Sequence, residues 1–127
     1  MSNQLTQQQY LNLETFRRSG DGVRTPVWFV ESSNNNTFFV RTVAESGKVK
    51  RIRNNGQVNI AACRADGVLL SNWLPATARE VKDHAIDQKI NKLLDQKYGV
   101  MKKIFGLASA MQGRKYTILE LKVKEQL

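Results

Sequence analysis

Hydrophobic and polar residues alternate along much of the chain in short runs that are separated by turn residues. A period of two is typical of β-strands, because successive side chains point to opposite faces of a sheet. Six runs are predicted to be strands: residues 11–18, 23–30, 37–42, 57–64, 68–81 and 116–123. The run 23–30 is apolar on both faces instead of alternating, so it is expected to be a buried strand. Residues 19–22, Ser-Gly-Asp-Gly, predict a hairpin turn between the first two runs.

A short helix is predicted over residues 46–54, where Val49 and Ile52 are three positions apart on one face. Ser46 is expected to be the N-cap, since its side-chain oxygen can accept a free N–H of the first turn. Residues 54–56, Asn-Asn-Gly, are expected to end the helix in the left-handed conformation that asparagine and glycine tolerate.

A longer helical segment is predicted over residues 86–111, because apolar residues recur there every three or four positions, with a break near Gly99. Pro75 is expected to bulge or bend the run that contains it. About six strands with one short and one long helical insertion predict a mainly β protein, a small antiparallel barrel. A chain of 127 residues suffices for one domain, so the barrel is expected to span residues 1–127.

The composition narrows the class of protein further. Hydrophobic residues make up 41% of the chain, which excludes a disordered tail. No run approaches the roughly 20 apolar residues that cross a bilayer, and the first residues lack the basic and apolar regions of an export signal. Cys63 is the one cysteine, which fits a reducing compartment. We therefore expect a cytoplasmic protein that does not associate with a membrane.

The net charge of +9 is concentrated in two blocks. Residues 41–53 contain five basic residues against one acidic residue, and residues 97–115 contain five basic residues and no acidic one. The remainder of the chain is balanced, with ten residues of each sign. Local blocks of this kind indicate a surface that binds an anion, the alternative being a solvated basic helix face.

Side-chain catalysis has little support in the sequence. His84 is the one histidine and lies among polar residues, so we interpret it as an ordinary exposed or helix-capping histidine. Cys63 lies in an apolar run and is interpreted as a buried small hydrophobe. No nucleophile elbow, zinc-ligand cluster or close carboxylate pair is present. If the protein is an enzyme, a bound cofactor must supply the reaction, and the catalytic residues stay unassigned.

The junction of strand and helix at residues 42–51 is the strongest candidate site. A helix N-terminus offers free N–H groups and the positive end of a dipole, which suits a phosphate. Gly47 allows a close approach of the backbone, Ser46 and Thr42 add hydroxyl donors, and Lys48 and Lys50 add full charges. The spacing of a Walker motif is absent, so the site is not a nucleotide P-loop.

Several motifs resemble the flavin- and deazaflavin-binding split-barrel superfamily, and more narrowly its pyridoxamine-phosphate-oxidase-like class of probable deazaflavin-dependent oxidoreductases. The most specific motif is Ser-Gly-Lys-Val-Lys-Arg-Ile-Arg-Asn-Asn at residues 46–55. Shorter matching segments precede and follow it in order: residues 25–29, 39–42, 62–64, 76–79 and 97–99. The resemblance therefore covers nearly the whole chain.

The resemblance implies a split β-barrel homodimer that binds the cofactor at the subunit interface. It implies that Lys48, Ser46 and Thr42 hold the cofactor phosphate, that the strand at 25–29 lies beside the flavin ring, and that residues around Asn72 approach from the partner subunit. The cofactor-binding residues that it implies, together with the basic junction, are Thr25, Pro26, Val27, Trp28, Arg41, Thr42, Ser46, Lys48, Lys50, Asn72 and Trp73, with no metal ligand.

The implied activity is hydride transfer between the bound ring and a small-molecule substrate, with the protein supplying orientation and electrostatics. The implied cofactor is FMN or coenzyme F-420. The acidic oligoglutamate tail of coenzyme F-420 would meet additional cations, for which Lys50, Arg51 and Arg53 are available, as is the 97–115 block if it folds nearby. Two departures speak against oxidation of pyridoxamine phosphate itself. The family's arginine is replaced by Thr25, and its C-terminal Arg-x-His is absent from residues 122–127.

A basic barrel with aromatic residues also fits a second class, a single-stranded nucleic-acid binder of the oligonucleotide-binding fold. Trp28, Phe29, Phe38 and Phe39 would then be stacking platforms for bases. These residues lie in dense apolar runs, where core packing is the expected role, so nucleic acid is not an expected partner. A third interpretation is a module that binds flavin or haem without turnover.

Overall fold

The structure is a computed structural model that describes residues 8–32, 36–104 and 115–124, with side chains described up to residue 99 of the second helix. Within these residues the chain forms a mainly β fold, as predicted. There are seven strands: β1 (Tyr10–Phe16), β2 (Gly22–Val27), β3 (Val30–Glu31), β4 (Thr37–Val43), β5 (Gln57–Cys63), β6 (Leu74–Val81) and β7 (Tyr116–Val123). Two helices accompany them: α1 (Gly47–Asn54) and α2 (His84–Ile104).

All seven strands form one antiparallel sheet in the order β2-β1-β5-β6-β7-β4-β3. The two edge strands, β2 and β3, are separated in sequence by two residues alone. The three Cα–Cα steps from Val27 to Val30 cover at most about 11 Å, whereas the edges of a flat seven-stranded sheet lie about 29 Å apart. The sheet must therefore curl until its edges meet, which confirms the split barrel. We call this meeting point the seam.

The curl explains why the predicted strand over residues 23–30 is divided. β2 ends at Val27, and β3 begins at Val30 on the opposite edge of the sheet. Trp28 and Phe29 lie between them, where the backbone leaves one edge and joins the other. A pattern of apolar residues does not distinguish one long strand from two short strands on opposite edges.

Two other predicted elements have different bounds in the structure. The predicted strand over 68–81 begins at Leu74, and Pro75 is its second residue and causes no break in β6. The predicted break near Gly99 is also wrong, because α2 is continuous from His84 to Ile104. One glycine costs a helix about 1 kcal/mol, which the buried residues of a 21-residue helix offset. The predicted helical residues 105–111 lie outside the described residues.

The ends of α1 also differ from the prediction. Ser46 is the N-cap residue, as expected, but its side chain makes no capping hydrogen bond. Asn55 is the C-cap and has an extended backbone with φ −148°, so the left-handed C-cap was wrong. The N–H of Asn55 still donates to the carbonyl of Arg51 at 2.8 Å.

The hydrophobic core has two parts. The larger part fills the inside of the curled sheet and includes Phe29 and Phe38, both 0% exposed, with their rings edge to face at 5.8 Å. The smaller part lies between α2 and the outer face of the sheet, where Trp28 and Phe39 are partly buried. The core-packing role of Phe29 and Phe38 is therefore confirmed. No helix within the described residues has the length and hydropathy to cross a bilayer.

Candidate functional site

The start of α1 is built against the inside of the curled sheet. Val49 and Ile52 are 0% and 4% exposed and belong to the interior core, so α1 packs on β1 and β6. The N–H groups of the first turn of a helix have no intrahelical acceptors. Because Ser46 makes no side-chain capping bond, these N–H groups remain available to an anion.

Arg51 folds back along α1 toward the first residue of the helix. A β-carbon added to Gly47 would lie 2.8 Å from Nη1 of Arg51, so the guanidinium packs directly against the backbone of this glycine. The Nε of Arg51 donates to Oγ1 of Thr15 on β1 at 2.7 Å. A neutral hydroxyl therefore fixes the guanidinium beside the start of α1.

Two further cations lie near Arg51. Burial lowers the pKa of Lys48, and the positive charge of Arg51 lowers it further. Burial also lowers the pKa of Arg51, and the charge of Arg17 adds to this effect. Within the described ranges no carboxylate oxygen lies within 4.0 Å of these three side chains. We call Lys48, Arg51 and Arg17 the cation cluster; its mutual repulsion would be relieved by an anion.

Two residues with hydroxyl groups, Thr42 and Ser46, precede α1 in the sequence. Oγ of Ser46 is buried and, among the residues that the structure describes, has no hydrogen-bond partner. Thr42 is 8% exposed and lies on the face of β4 that points to the interior core. Lys50 is exposed and adds long-range charge rather than a buried contact. Ser46 and Lys48 both belong to the start of α1, and the buried Ser46 hydroxyl, which has no partner among the described residues, is a chemically suitable donor to a phosphate.

Arg41 lies elsewhere. It neighbours Thr42 in β4, so its side chain points to the opposite face of the sheet, toward α2. Its Nε lies 3.4 Å from Oδ1 of Asp87, and its guanidinium lies 4.3 Å from the centre of the Tyr116 ring. The structure does not bring Arg41 together with the cation cluster.

The predicted residues of β2 are distributed over both faces of the sheet. Thr25 and Val27 pair with Leu13 and Leu11, whose side chains fill the interior core. Pro26 lies on the outer face, where its Cγ is 3.7 Å from the position of a β-carbon on Gly67. Within the described sheet β2 is an edge strand, and its one pairing partner there is β1.

Tyr98 and Lys97 of α2 form hydrogen bonds with the backbone at the seam. The hydroxyl of Tyr98 accepts the N–H of Phe29 at 3.1 Å and lies within donating distance of the carbonyls of Gln9, at 2.7 Å, and Phe29, at 3.0 Å. The Tyr98 ring stacks on Trp28 with centroids 4.4 Å apart. Nζ of Lys97 donates to the same Phe29 carbonyl at 2.9 Å and lies over the Phe29 ring, and burial lowers its pKa to about 8. These side chains replace the strand partners that Phe29 lacks.

The loop between β5 and β6 holds the last two predicted residues. Asn72 is exposed, and the Trp73 ring lies 5.0 Å from the guanidinium carbon of Arg24 on β2. The loop is therefore adjacent to the β2 edge. Three apolar residues of this loop are exposed: Val68 (50%), Leu69 (38%) and Leu70 (51%).

A comparison with protein-family models shows to which family the chain belongs. The family model described as pyridoxamine 5'-phosphate oxidase matches residues 1–126. The chain belongs to the pyridoxamine 5'-phosphate oxidase family. No curated protein sequence matches it significantly.

Solved structures of similar fold have different properties. HutZ, the haem storage protein of Vibrio cholerae, is 15% identical with a TM-score of 0.70, over 94% of this chain and 84% of HutZ. An FAD-binding protein of Mesorhizobium loti is 13% identical with a TM-score of 0.66, over 98% and 87% of the two chains. A conserved protein of unknown function from Corynebacterium diphtheriae is 21% identical with a TM-score of 0.63, over 97% and 85%. At these identities the likeness concerns the fold.

In this member of the pyridoxamine 5'-phosphate oxidase family, the reactive side chains lie outside the candidate site. His84 is exposed at the start of α2, and its Nε2 lies 3.0 Å from Nε2 of Gln88. Cys63 is 2% exposed, and burial together with the charge of Asp66 raises its pKa, which keeps the thiol protonated. Both sequence interpretations are confirmed. The described residues contain no group of side chains suited to a metal ion.

The sequence analysis included Arg51 in the basic junction and among the cations available to an acidic cofactor tail, but it missed Arg17 and Thr15, which lie beside Arg51. Arg51 carried a signal, because a residue four positions after Gly47 lies on the same face of a helix. Arg17 and Thr15 carried none, since only the pairing of β1 within the curled sheet brings them to α1.

Proposed function

We propose that the protein is a cytoplasmic oxidoreductase that uses FMN or coenzyme F-420 to transfer hydride to or from a small molecule. The observation that carries this proposal is the guanidinium of Arg51, held by Thr15 against Gly47, with Lys48 and Arg17 near it and a buried Ser46 hydroxyl that has no partner among the described residues. Membership of the pyridoxamine 5'-phosphate oxidase family supports the choice of a flavin-type cofactor. A structural neighbour that binds FAD supports it further.

The residues at the start of α1 would hold the cofactor phosphate. Lys48 and Arg51 supply charge, Ser46 donates its O–H, and the first-turn N–H groups point along the helix axis toward the anion. Each of these groups lacks a carboxylate partner among the residues of the described ranges. The phosphate would therefore replace water, not an existing ion pair.

The edge of β2 would orient the ring. Its outer backbone edge is not paired within the described sheet, so the outward-pointing backbone groups of residues 25–28 can bond to the polar edge of a flat heterocycle, with Pro26 offering only its C=O because it has no N–H. Trp28 is already stacked on Tyr98, which fixes its ring. The bound cofactor would supply the hydride chemistry, and the protein would position the ring and exclude water.

We propose that the protein acts as a homodimer. The exposed loop residues Val68, Leu69 and Leu70 form an apolar patch next to Asn72 and Trp73, and such a patch is typical of a surface covered by a partner. A second copy would bring Asn72 and Trp73 to the cofactor of its neighbour. Light scattering should give twice the 14.4 kDa of one chain, and a mass of one chain at high concentration would exclude the dimer.

The phosphate site is tested by titrating FMN and coenzyme F-420 into Lys48→Ala. Loss of one charge-assisted contact is expected to weaken binding by about 1.5–3 kcal/mol. Lys89→Ala removes an exposed lysine of α2 and is the matched control, with affinity expected to stay at the wild-type value. Unchanged affinity in Lys48→Ala would remove this lysine from the site.

A second candidate function is a module that binds haem or flavin without turnover. The fold shared with the haem storage protein HutZ favours it. The visible spectrum and the mass of the cofactor released from protein purified from its native host distinguish the two candidates. A flavin or deazaflavin that a reductant can reduce supports the oxidoreductase, and a haem spectrum would overturn it.

A further inference from the structure

The side chain of Lys97 reaches from α2 to the seam, where its amine is enclosed on one side. Nζ donates to the carbonyl of Phe29 at 2.9 Å. It lies 3.5 Å from the centre of the Phe29 ring and 5.1 Å from the centre of the Tyr98 ring. The residue as a whole is exposed, so the other side of the amine is open to solvent.

The ammonium form of Lys97 is incompletely solvated in this position. An ammonium has three N–H donors, and the Phe29 carbonyl is the one hydrogen-bond acceptor of Nζ among the described residues. No carboxylate oxygen in the described part of the chain lies within 4.0 Å of Nζ. The ring faces attract a cation but replace only part of its hydration. The neutral amine is therefore more favoured here than in a fully solvated lysine.

Glu31 and Tyr98 are titratable neighbours of Lys97. The negative charge of Glu31 on β3 favours the ammonium, whereas burial disfavours it and has the larger effect, so the pKa of Lys97 falls to about 8. Burial raises the pKa of Tyr98 to about 12, so this phenol stays neutral in the same pH range. At pH 7.5 about a quarter of a lysine with this pKa is the amine, against roughly one in a thousand of an ordinary lysine.

The geometry also directs the lone pair of the neutral amine. One N–H can keep its hydrogen bond to the Phe29 carbonyl. The face of an aromatic ring carries negative charge and repels a lone pair, so the lone pair turns from the Phe29 ring toward the open side. A small electrophile can reach the nitrogen there without opening the seam.

We infer that Lys97 is an acylation site that reacts directly with small acyl phosphates. The amine nitrogen attacks the carbonyl carbon and a C–N bond forms. The C–O bond to the phosphate breaks, the phosphate leaves with the electron pair, and the nitrogen gives a proton to water, so nothing is oxidised or reduced. The product amide keeps one N–H for the Phe29 carbonyl but loses the positive charge over the ring. This inference is independent of the cofactor and of the proposed function.

Limited labelling with acetyl phosphate at pH 7.5 tests the inference, with the occupancy of each lysine measured by peptide mass spectrometry. Lys89 and Lys92 are the matched controls, because they are exposed lysines of the same helix. Lys97 is expected to be acetylated about tenfold faster than either control. This ratio is smaller than the ratio of amine fractions because a less basic nucleophile is also weaker. Labelling of Lys97 at or below the rate of the controls would overturn the site.

Three further measurements connect the reactivity to the seam. In urea the preference for Lys97 should disappear, and a preference that persists in the unfolded chain would contradict a structural origin. Glu31→Gln removes the charge that favours the ammonium, so it should speed labelling of Lys97 about twofold and leave Lys89 unchanged, with thermal unfolding as the check on the fold. The rate at Lys97 should level off above about pH 9 while the controls keep rising. A rate at Lys97 that rises in parallel with the controls would overturn the inference.

Discussion

The two helices contact the same sheet but use their charged and polar residues differently. α1 packs on the interior core and presents Lys48 and Arg51 without carboxylate partners among the described residues. α2 packs on the outer face, where Arg41 pairs with Asp87 and where Tyr98 satisfies the backbone of the seam. Lys48 and Arg51 on α1 are thus uncompensated among the described residues, whereas Arg41, on the α2 side of β4, is paired.

This difference distinguishes cations that can bind a ligand from cations that contribute to the stability of the fold. A cation that pairs with a carboxylate of its own chain contributes modestly to stability and has little left to offer a ligand. A partly buried cation without such a partner raises the energy of the free protein, and a bound anion removes that cost. We therefore expect changes on the α2 side to affect stability and changes on the α1 side to affect ligand affinity.

The largest effect on the α2 side is expected for Tyr98→Phe. This substitution keeps the ring that stacks on Trp28 but leaves the buried N–H of Phe29 without its acceptor. An unsatisfied buried donor costs about 1–3 kcal/mol, so the free energy of unfolding measured in urea should fall by that amount. Tyr116→Phe is a suitable control because Tyr116 is only partly buried. A Tyr98→Phe variant as stable as the wild type would show that the seam does not need this hydroxyl.

The same variant is expected to change the alkaline limb of the stability curve. Burial raises the pKa of Tyr98 from 10.0 to about 12. Between these values the unfolded chain has lost the proton that the folded chain keeps, so the free energy of unfolding falls as the pH rises from about 10 to 12. Tyr98→Phe lacks this proton, and its stability should decline less steeply than that of the wild type over this window.

A smaller effect is expected for Arg41→Ala, which removes a partly exposed ion pair with Asp87 and a contact with the Tyr116 ring. The loss in unfolding free energy should be about 1 kcal/mol. Cofactor affinity should be close to the wild-type value, in contrast to Lys48→Ala. If Arg41→Ala weakens cofactor binding as strongly as Lys48→Ala, the division between the two sides of β4 is wrong and Arg41 belongs to the site.

Much of the fold was predictable because the strands and helices follow from local patterns of apolar and polar residues. The alternation of apolar residues predicted β1, β4, β5 and β7 within one or two residues at each end, and Val49 and Ile52 predicted α1. The division of residues 23–30 and the loop at 68–73 were not predictable, since an apolar run has the same pattern in a strand, at a seam or on an exposed loop. Exposed Leu70 shows that such a run need not be buried.

The candidate site was predictable only in part. Ser46, Gly47 and Lys48 are consecutive, so their junction with β4 could be recognised from the sequence. Opposite faces of one strand place Arg41 and Thr42 apart, although they are neighbours in the sequence. The sequence does not show which of these two side chains points toward α1 and which points toward α2.

The amino-acid sequence by itself determined the strand and helix periods, the family and the concentration of basic residues after β4. Tertiary structure alone decided whether Arg41, Arg51 and Arg53 are neutralised, because Glu80, Asp87 and Thr15 come from distant strands and helices. Coulomb interactions and hydrogen bonds act over a few ångströms in space, whatever the separation along the chain. Arg51 and Arg53 are two residues apart, yet the curled sheet gives one a carboxylate and the other only a hydroxyl.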